Sequence, residues 1–231
     1  MIRLDKYLAD TGAASRREAK MYIRRGEVTV DGVPAAAPEQ KIAETAVVCL
    51  RGQPLHYQTY HYYMLHKPSG VLTATSDRSQ PTVLDLFPPE LQRFGLVPAG
   101  RLDKDTEGLL LITNDGELAH RMLSPRKHVD KKYYVRIDGN VTPEMHRKLE
   151  EGVFIEQDIL SKPAKLKIIN NQETESEVCI TIHEGRFHQV KRMMEALGKN
   201  VTYLKRISMG PLTLPKDLPG GEARELTKAE L

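Results

Sequence analysis

Apolar residues recur at helical spacing twice near the start of the chain, then give way to shorter runs that read as strands. Leu4, Tyr7 and Leu8 share one helical face and Ala19, Tyr22 and Ile23 another, with Gly12 between them. Ser15 followed by Glu18 forms an S-x-x-E capping box that starts the second helix, and Gly26 is placed to end it. Val28-Thr29-Val30, the Asp31-Gly32 turn and Val47 to Leu50 then predict short strands with a hairpin. These signals delimit a first unit over 1–52. Gly52 and Pro54 interrupt the periodicity, so 53–60 reads as a linker and 61–231 as a second domain. There VLTAT (71–75), LLLIT (109–113), KKYYVRI (131–137), AKLKII (164–169), EVCITIHEG (177–185) and VTYLKRI (201–207) predict strands. Helical segments are expected near 117–123, 143–151 and 188–197. The expected class is α+β: a small α/β unit, then a larger domain on a mixed, largely antiparallel sheet with flanking helices.

Charge changes this picture more than composition does. The formal net charge is +3, but residues 1–25 hold seven basic side chains against three acidic ones, which is +4 and leaves −1 for the rest. Arg16, Arg17, Lys20, Arg24 and Arg25 lie on or beside the second helix, off its apolar stripe, where their charges can converge on a phosphate backbone. Taken alone, they read equally as a solvated helix face. Cys49 and Cys179 sit far apart in apolar runs, as small buried hydrophobes do. With no apolar leader pattern and no long apolar stretch, a cytoplasmic protein is expected, and no membrane contact. No heptad or apolar stripe demands a second copy, so a monomer is expected.

The segment AGRLDKDTEGLLLITNDGELAHRML (99–123) carries the chemistry. Leu109 to Ile112 read as a strand buried on both faces, and Asn114-Asp115-Gly116 as a turn into a helix. Asp103 therefore falls on a loop just before a rigid strand, where a scaffold fixes its position and a loop leaves it reachable. Alone, such an aspartate reads as a turn or helix cap. In the helix after GRFH, Val190, Met193, Met194 and Leu197 form an apolar stripe that Lys191 flanks, while Arg192 points away. Lys191 is thus the side chain placed to reach a half-buried partner. Tyr133 and Tyr134 alternate on a strand, one facing the core and the other a cavity or solvent.

Two stretches together resemble a known family. RLDKYLADTG followed by SRREAKMYIRRGEVTVDG is similar to the S4 RNA-binding domain. GRLDKDTEGLLLITNDG, with MLHKPSGVLTATSD (64–77), DKKYYV (130–135) and EGRFHQVKRM (184–193) in that order, resembles the S4-domain pseudouridine synthases of ribosomal RNA. The resemblance implies an S4-like RNA-binding domain before a catalytic domain, and isomerisation of uridine to pseudouridine. It implies Asp103 as the catalytic carboxylate with Lys191 and Tyr133 beside it, and Arg101 filling the space of a flipped-out base. The basic residues Lys67, Lys131, Arg186 and Arg192 would then contact RNA. His66 stands where the family more often has Asn, and no role is expected of it.

The chemistry makes these residue types intelligible. The N1–C1′ bond must break and a C5–C1′ bond form with no redox change and no hydrolysis, so no cofactor and no metal is expected. An ionised carboxylate is needed, whether it attacks C1′, abstracts a sugar proton or adds to the ring. Burial would protonate it unless a cation stands near. The base must also be extruded before it can react, so the expected partner is ribosomal RNA within partly assembled small-subunit particles. His188-Gln189 favours the small-subunit branch, whereas large-subunit relatives more often carry Asn-Arg at 187–188. The competing readings are a large-subunit enzyme, a magnesium nuclease built on Asp103, Asp105 and Glu107 with Asp77, Asp115 and His120, and a non-catalytic ribosome-binding factor.

Overall fold

A computed structural model describes residues 1–124 and 128–231. It divides into two units, Met1–His61 with Pro88–Leu96, and Tyr62–Phe87 with Val97–Leu231.

In the first unit β1 (Ile2–Arg3) runs into α1 (Leu4–Asp10), and α2 (Arg16–Arg24) follows. Ser15 caps α2 in the expected capping box: Glu18 N–H donates to its Oγ at 3.2 Å, and Ser15 N–H donates to the Glu18 carboxylate at 2.8 Å. The strands β2 (Val28–Val30), β3 (Val33–Pro34), β4 (Lys41–Ile42), β5 (Val48–Leu50) and β6 (Gln53–Leu55) come next. The sheet order is β3-β2-β5-β6, with β1 on β4. Asp31 (φ 50°) and Gly32 (φ 82°) make the β2–β3 hairpin turn. Leu4, Tyr7, Leu8, Ala19, Ile23, Val28, Ile42 and Val48 form its core. The expected linker is corrected here. Gln53–Leu55 pair with β5, Tyr57 stacks on Tyr7 (4.8 Å between centroids), and the Tyr57 hydroxyl donates to Asp10. A helical turn, α3 (Pro89–Gln92), also belongs to this unit, where Phe94 stacks on His61 and Arg93 donates to the Gly12 carbonyl.

Among the described residues the second unit is built on nine strands: β7 (Tyr62–Lys67), β8 (Val97–Ala99), β9 (Glu107–Thr113), β10 (Lys131–Asp138), β13 (Lys165–Asn170), β14 (Glu175–Ile182), β15 (Val201–Met209), β16 (Leu212–Thr213) and β17 (Ala223–Glu225). A separate hairpin is formed by β11 (Phe154–Glu156) and β12 (Ile159–Leu160). The sheet order is β13-β14-β10-β15-β9-β7-β17, with β16 on β15 and β8 on β9. Among the described residues these strands pair antiparallel, except β9 with β15, which meet in parallel over Glu107–Lys205 and Gly108–Arg206. The helices are α4 (Gly116–Leu123), α5 (Pro143–Glu151) and α6 (Gln189–Glu195). Pro143 at the first turn and the Thr142 hydroxyl start α5, and the Asp115 carboxylate caps α4 through Leu118 N–H. The core includes Met64, Leu109, Leu111, Ala119 and Met209. No helix among the described residues is long and apolar enough to cross a membrane.

VLTAT is not a strand. Leu72 makes one isolated bridge, to Thr82, and Thr73 is diverted: its hydroxyl donates to the Leu102 carbonyl (2.7 Å) and accepts from Leu102 N–H (3.2 Å). A β-branched residue read as a strand former instead ties this loop to the segment that carries Asp103.

Candidate active site

The strand behind Asp103 is rigid because Leu109 to Ile112 are wholly buried. The start of its backbone lies hard against β15: a Cβ on Gly108 (φ +108°) would stand 2.2 Å from the Arg206 carbonyl oxygen. Only glycine permits this approach.

The loop before the strand is pinned from beneath by Lys67. This side chain is fully buried, and its ammonium donates to the carbonyls of Pro68 (3.0 Å), Lys104 (3.0 Å) and Thr106 (2.9 Å). Gly70 N–H donates to the same Lys104 carbonyl (2.8 Å). Burial pulls the Lys67 ammonium down to about 8, against the opposing pull of Asp105, Asp103 and Glu107. The expectation that Lys67 contacts RNA is therefore corrected: its three donors are spent on backbone, out of reach of solvent. Lys131 is corrected on its burial. It is buried, donates to the Val129 carbonyl (3.1 Å), and is held below the usual lysine range by burial and by Arg206.

With its backbone so held, Asp103 keeps its carboxylate free to face a cleft of about 410 Å³ lined by Ser69, Gly70, Asp103, Lys104, Asp105, His188 and Lys191. Val190, Met193 and Met194 bury the inner face of α6, which turns Lys191 into this cleft as its helical position requires. Lys191 Nζ lies 3.6 Å from Asp103 Oδ2. It lies closer to Asp105, at 2.6 and 2.8 Å from the two oxygens, and this hydrogen bond holds Asp105 below the ordinary carboxylate range. One ammonium thus serves two carboxylates, and its close partner is the one that pattern reading offered only as a metal ligand. His188 Nε2 stands 3.4 Å from Asp103 Oδ1, at the carboxylate oxygen that Lys191 leaves open. Its backbone is left-handed (φ 50°, ψ 32°) at the start of α6. The preceding loop is locked by Gln189, which donates to the buried Glu184 and accepts from Arg186 N–H (2.9 Å).

The remaining predicted residues are distributed unequally. Tyr133 is the buried one of its pair, on β10 with Ile180 and Arg206 as register neighbours, while Tyr134 lies on the other face against Tyr203. Arg101 is exposed. Arg186 pairs with Glu184 (3.3 Å), and Arg192 pairs with Glu156. Arg16, Arg17, Lys20, Arg24 and Arg25 are exposed, as expected, in the first unit. His66 is buried, its Nδ1 2.7 Å from the Leu218 carbonyl. Arg206 escaped the sequence reading. It is buried, its Nε donates to the Leu109 carbonyl (2.7 Å), and its Nη2 has no hydrogen-bond partner among the described residues. The other acidic side chains that could surround a metal are engaged separately. Glu107 accepts from Tyr203 (2.7 Å) and Asp115 from Tyr62 (2.8 Å), and no three His, Cys, Asp or Glu converge among the described residues.

A carboxylate on a pinned loop, flanked by a lysine and a histidine in a cleft, is equipped for nucleophilic or proton-transfer chemistry. Residues 61–196 match the family described as RNA pseudouridylate synthase. The chain belongs to that family. A pseudouridine synthase is an isomerase, so its net reaction takes neither oxidant nor water. Residues 2–48 of this synthase match the S4 domain. The chain is 49% identical to the RNA pseudouridine synthase YtzG of Bacillus subtilis, over 100% of this chain and 97% of that one. It is 42% identical to ribosomal small subunit pseudouridine synthase A of Escherichia coli K12 (100% and 98% covered) and 39% identical to ribosomal large subunit pseudouridine synthase B of B. subtilis (100% and 94%). Among solved structures, one described as pseudouridylate synthase superimposes with a TM-score of 0.69 at 35% identity, covering 100% of this chain and 98% of that one.

Proposed function

We propose that this synthase isomerises a specific uridine of small-subunit ribosomal RNA in the cytoplasm, acting as a monomer on partly assembled particles, with Asp103 as the catalytic carboxylate. The observation that carries the reading is the Asp103 carboxylate itself, open to the cleft with Lys191 Nζ at 3.6 Å and His188 Nε2 at 3.4 Å. The S4 unit supplies the docking charge through the exposed residues of α2. The target base leaves its stack and enters the cleft. Arg101, exposed two residues before Asp103, fills the space it vacates. Asp103 promotes cleavage of N1–C1′, the uracil turns, and C5 bonds to C1′. The hydrogen lost from C5 and the one gained at N1 balance, so the net reaction consumes nothing. Tyr133, buried on β10, takes part in holding the base, and the Lys191 ammonium, 3.6 Å from Asp103, stands beside the charge that carries the reaction. Arg186 and Arg192 meet phosphates once RNA competes for their carboxylate partners.

The small-subunit assignment is supported by the identity to the small-subunit enzyme of E. coli and by His188-Gln189 in the loop before α6. Identity to the large-subunit enzyme of B. subtilis is only slightly lower, which favours a large-subunit target as the second reading. Carbodiimide treatment of ribosomal RNA from a deletion strain, followed by mapping of reverse-transcription stops, separates the two. The proposal requires one stop to disappear from the small-subunit RNA; a disappearance confined to the large-subunit RNA would replace it.

A further inference from the structure

Beside the Asp103 cleft stands an aromatic ring that the reaction does not use. Phe187 is 62% exposed, its ring stacked on His188 (3.8 Å between centroids, 18° between planes), with the Arg192 guanidinium 5.2 Å from the ring centre. A single exposed phenylalanine is ordinary on a protein surface and by itself means nothing. Three features set this one apart. The ring is held, not loose, because Gln189 and Glu184 lock the loop beneath it. The chain accepts a left-handed, non-glycine residue at His188 to present it, a conformation that disfavours residues with a Cβ. The imidazole on which it stacks reaches Asp103, so the platform begins one ring's width from the reacting carboxylate.

We propose that Phe187 is a stacking platform for an unpaired RNA base next to the uridine that is turned out, an inference that rests on the reading of Asp103 as the catalytic carboxylate. The chemistry fits an RNA base better than a packing contact. A mostly exposed ring buries little apolar area within the protein, whereas a nucleobase laid on it would cover that area. Arg192 sets a cationic group by the ring and Arg186 precedes it in the chain, and their present partners, Glu156 and Glu184, are carboxylates with which a phosphate can compete. Stacking is tolerant of base identity, so the platform would orient the strand around the target and leave its sequence to be read elsewhere.

The chain contains no tryptophan, so Phe187→Trp introduces a single reporter at the platform. The probe is unmodified, in vitro transcribed small-subunit ribosomal RNA added to the full chain. Emission of Phe187→Trp should be quenched as RNA binds, while a tryptophan at the similarly open Ile169 on β13 should not respond. Phe187→Ala should weaken RNA binding roughly 5- to 150-fold, with the rise in KM exceeding any fall in kcat, and Phe187→Tyr should restore binding. Unchanged emission of Phe187→Trp at saturating RNA, or wild-type binding by Phe187→Ala, overturns the platform. An Asp103→Asn control keeps the two ideas apart. If that variant still forms pseudouridine, the reading of Asp103 fails; if it is inactive while Phe187 variants are silent, only the platform fails.

Discussion

Replacing Lys67 with methionine separates two roles that a lysine in this motif could have. If it touched an RNA phosphate, its removal would weaken binding and reduce the slope of log K against log salt by about 0.7 to 0.9. As a buried clamp, it should leave that slope alone. The stability change follows from opposing terms. Leaving the Thr106 carbonyl, the fully buried acceptor, without a donor costs about 1–3 kcal/mol, and the partly buried Pro68 and Lys104 carbonyls cost less because water can reach them. Against this, the ammonium is no longer buried, and its fall from 10.5 to about 8 corresponds to roughly 3 kcal/mol at about 1.4 kcal/mol per pH unit. The two nearly cancel, so folding free energy should shift by no more than about 2 kcal/mol. Activity should not be spared, since Lys104 and Thr106 bracket the loop, and a displacement near 1 Å costs on the order of 100-fold in rate. A further signature lies in pH. Between about 8 and 10.5 the folded chain binds fewer protons at Lys67 than the unfolded chain, so wild-type stability measured against the methionine variant should rise across that window. Denaturant titrations, salt-dependent RNA binding and single-turnover assays read all three. A lower salt slope with an unimpaired saturated rate would refute the clamp.

Other consequences follow from the same geometry. Gly108→Ala must push a Cβ into the Arg206 backbone at a positive φ, so a destabilisation of about 3 kcal/mol or more is expected in denaturant melts. Lys191→Met leaves Asp103 and Asp105 without their shared cation and should cut kcat at least about 100-fold with little change in RNA affinity. Because Asp105 acts through Lys191, adding Asp105→Asn to Lys191→Met should cost little more, and additive effects in the double-mutant cycle would contradict that coupling. Arg24→Gln with Arg25→Gln should weaken RNA binding uniformly and lower the salt slope by about 0.9 for each duplex phosphate that is no longer neutralised, without altering the saturated rate.

Periodicity carried most of the architecture. The capping box at Ser15 and Glu18, the Asp31-Gly32 hairpin and the apolar run at 109–112 each state their element locally, because caps, left-handed turns and two-sided burial leave residue-level signatures. VLTAT misleads because a threonine that satisfies strand preference spends its hydroxyl on a distant backbone, and only the fold brings Leu102 to Thr73. The linker misleads for a related reason: Gly52 makes a turn, but Pro54 lies in β6 paired with Cys49, and Tyr57 returns to pack on Tyr7. In the site, helical phase was enough to aim Lys191 inward, yet it could not tell Asp105 from Asp103 as the nearer partner, a difference of about one ångström set by the loop. Basic residues were the hardest to read. Family likeness and charge pointed Lys67 and Lys131 toward RNA, whereas their positions at the ends of β7 and β10 bury both. Arg206 drew no reading within VTYLKRI, and its position two residues after Leu204, on the same face of the strand, was the available signal that it points inward.

Tritium release reads directly whether the Asp103 carboxylate performs the isomerisation. Each turnover replaces the hydrogen on C5 by C1′, so RNA transcribed with [5-³H]uridine gives up one tritium for each pseudouridine formed. Wild-type protein should release tritium to the extent of one site per small-subunit RNA, and Asp103→Asn should bind the same RNA with unaltered affinity yet release none. Tritium released by Asp103→Asn at a rate near that of wild type would show that the chemistry does not depend on this carboxylate.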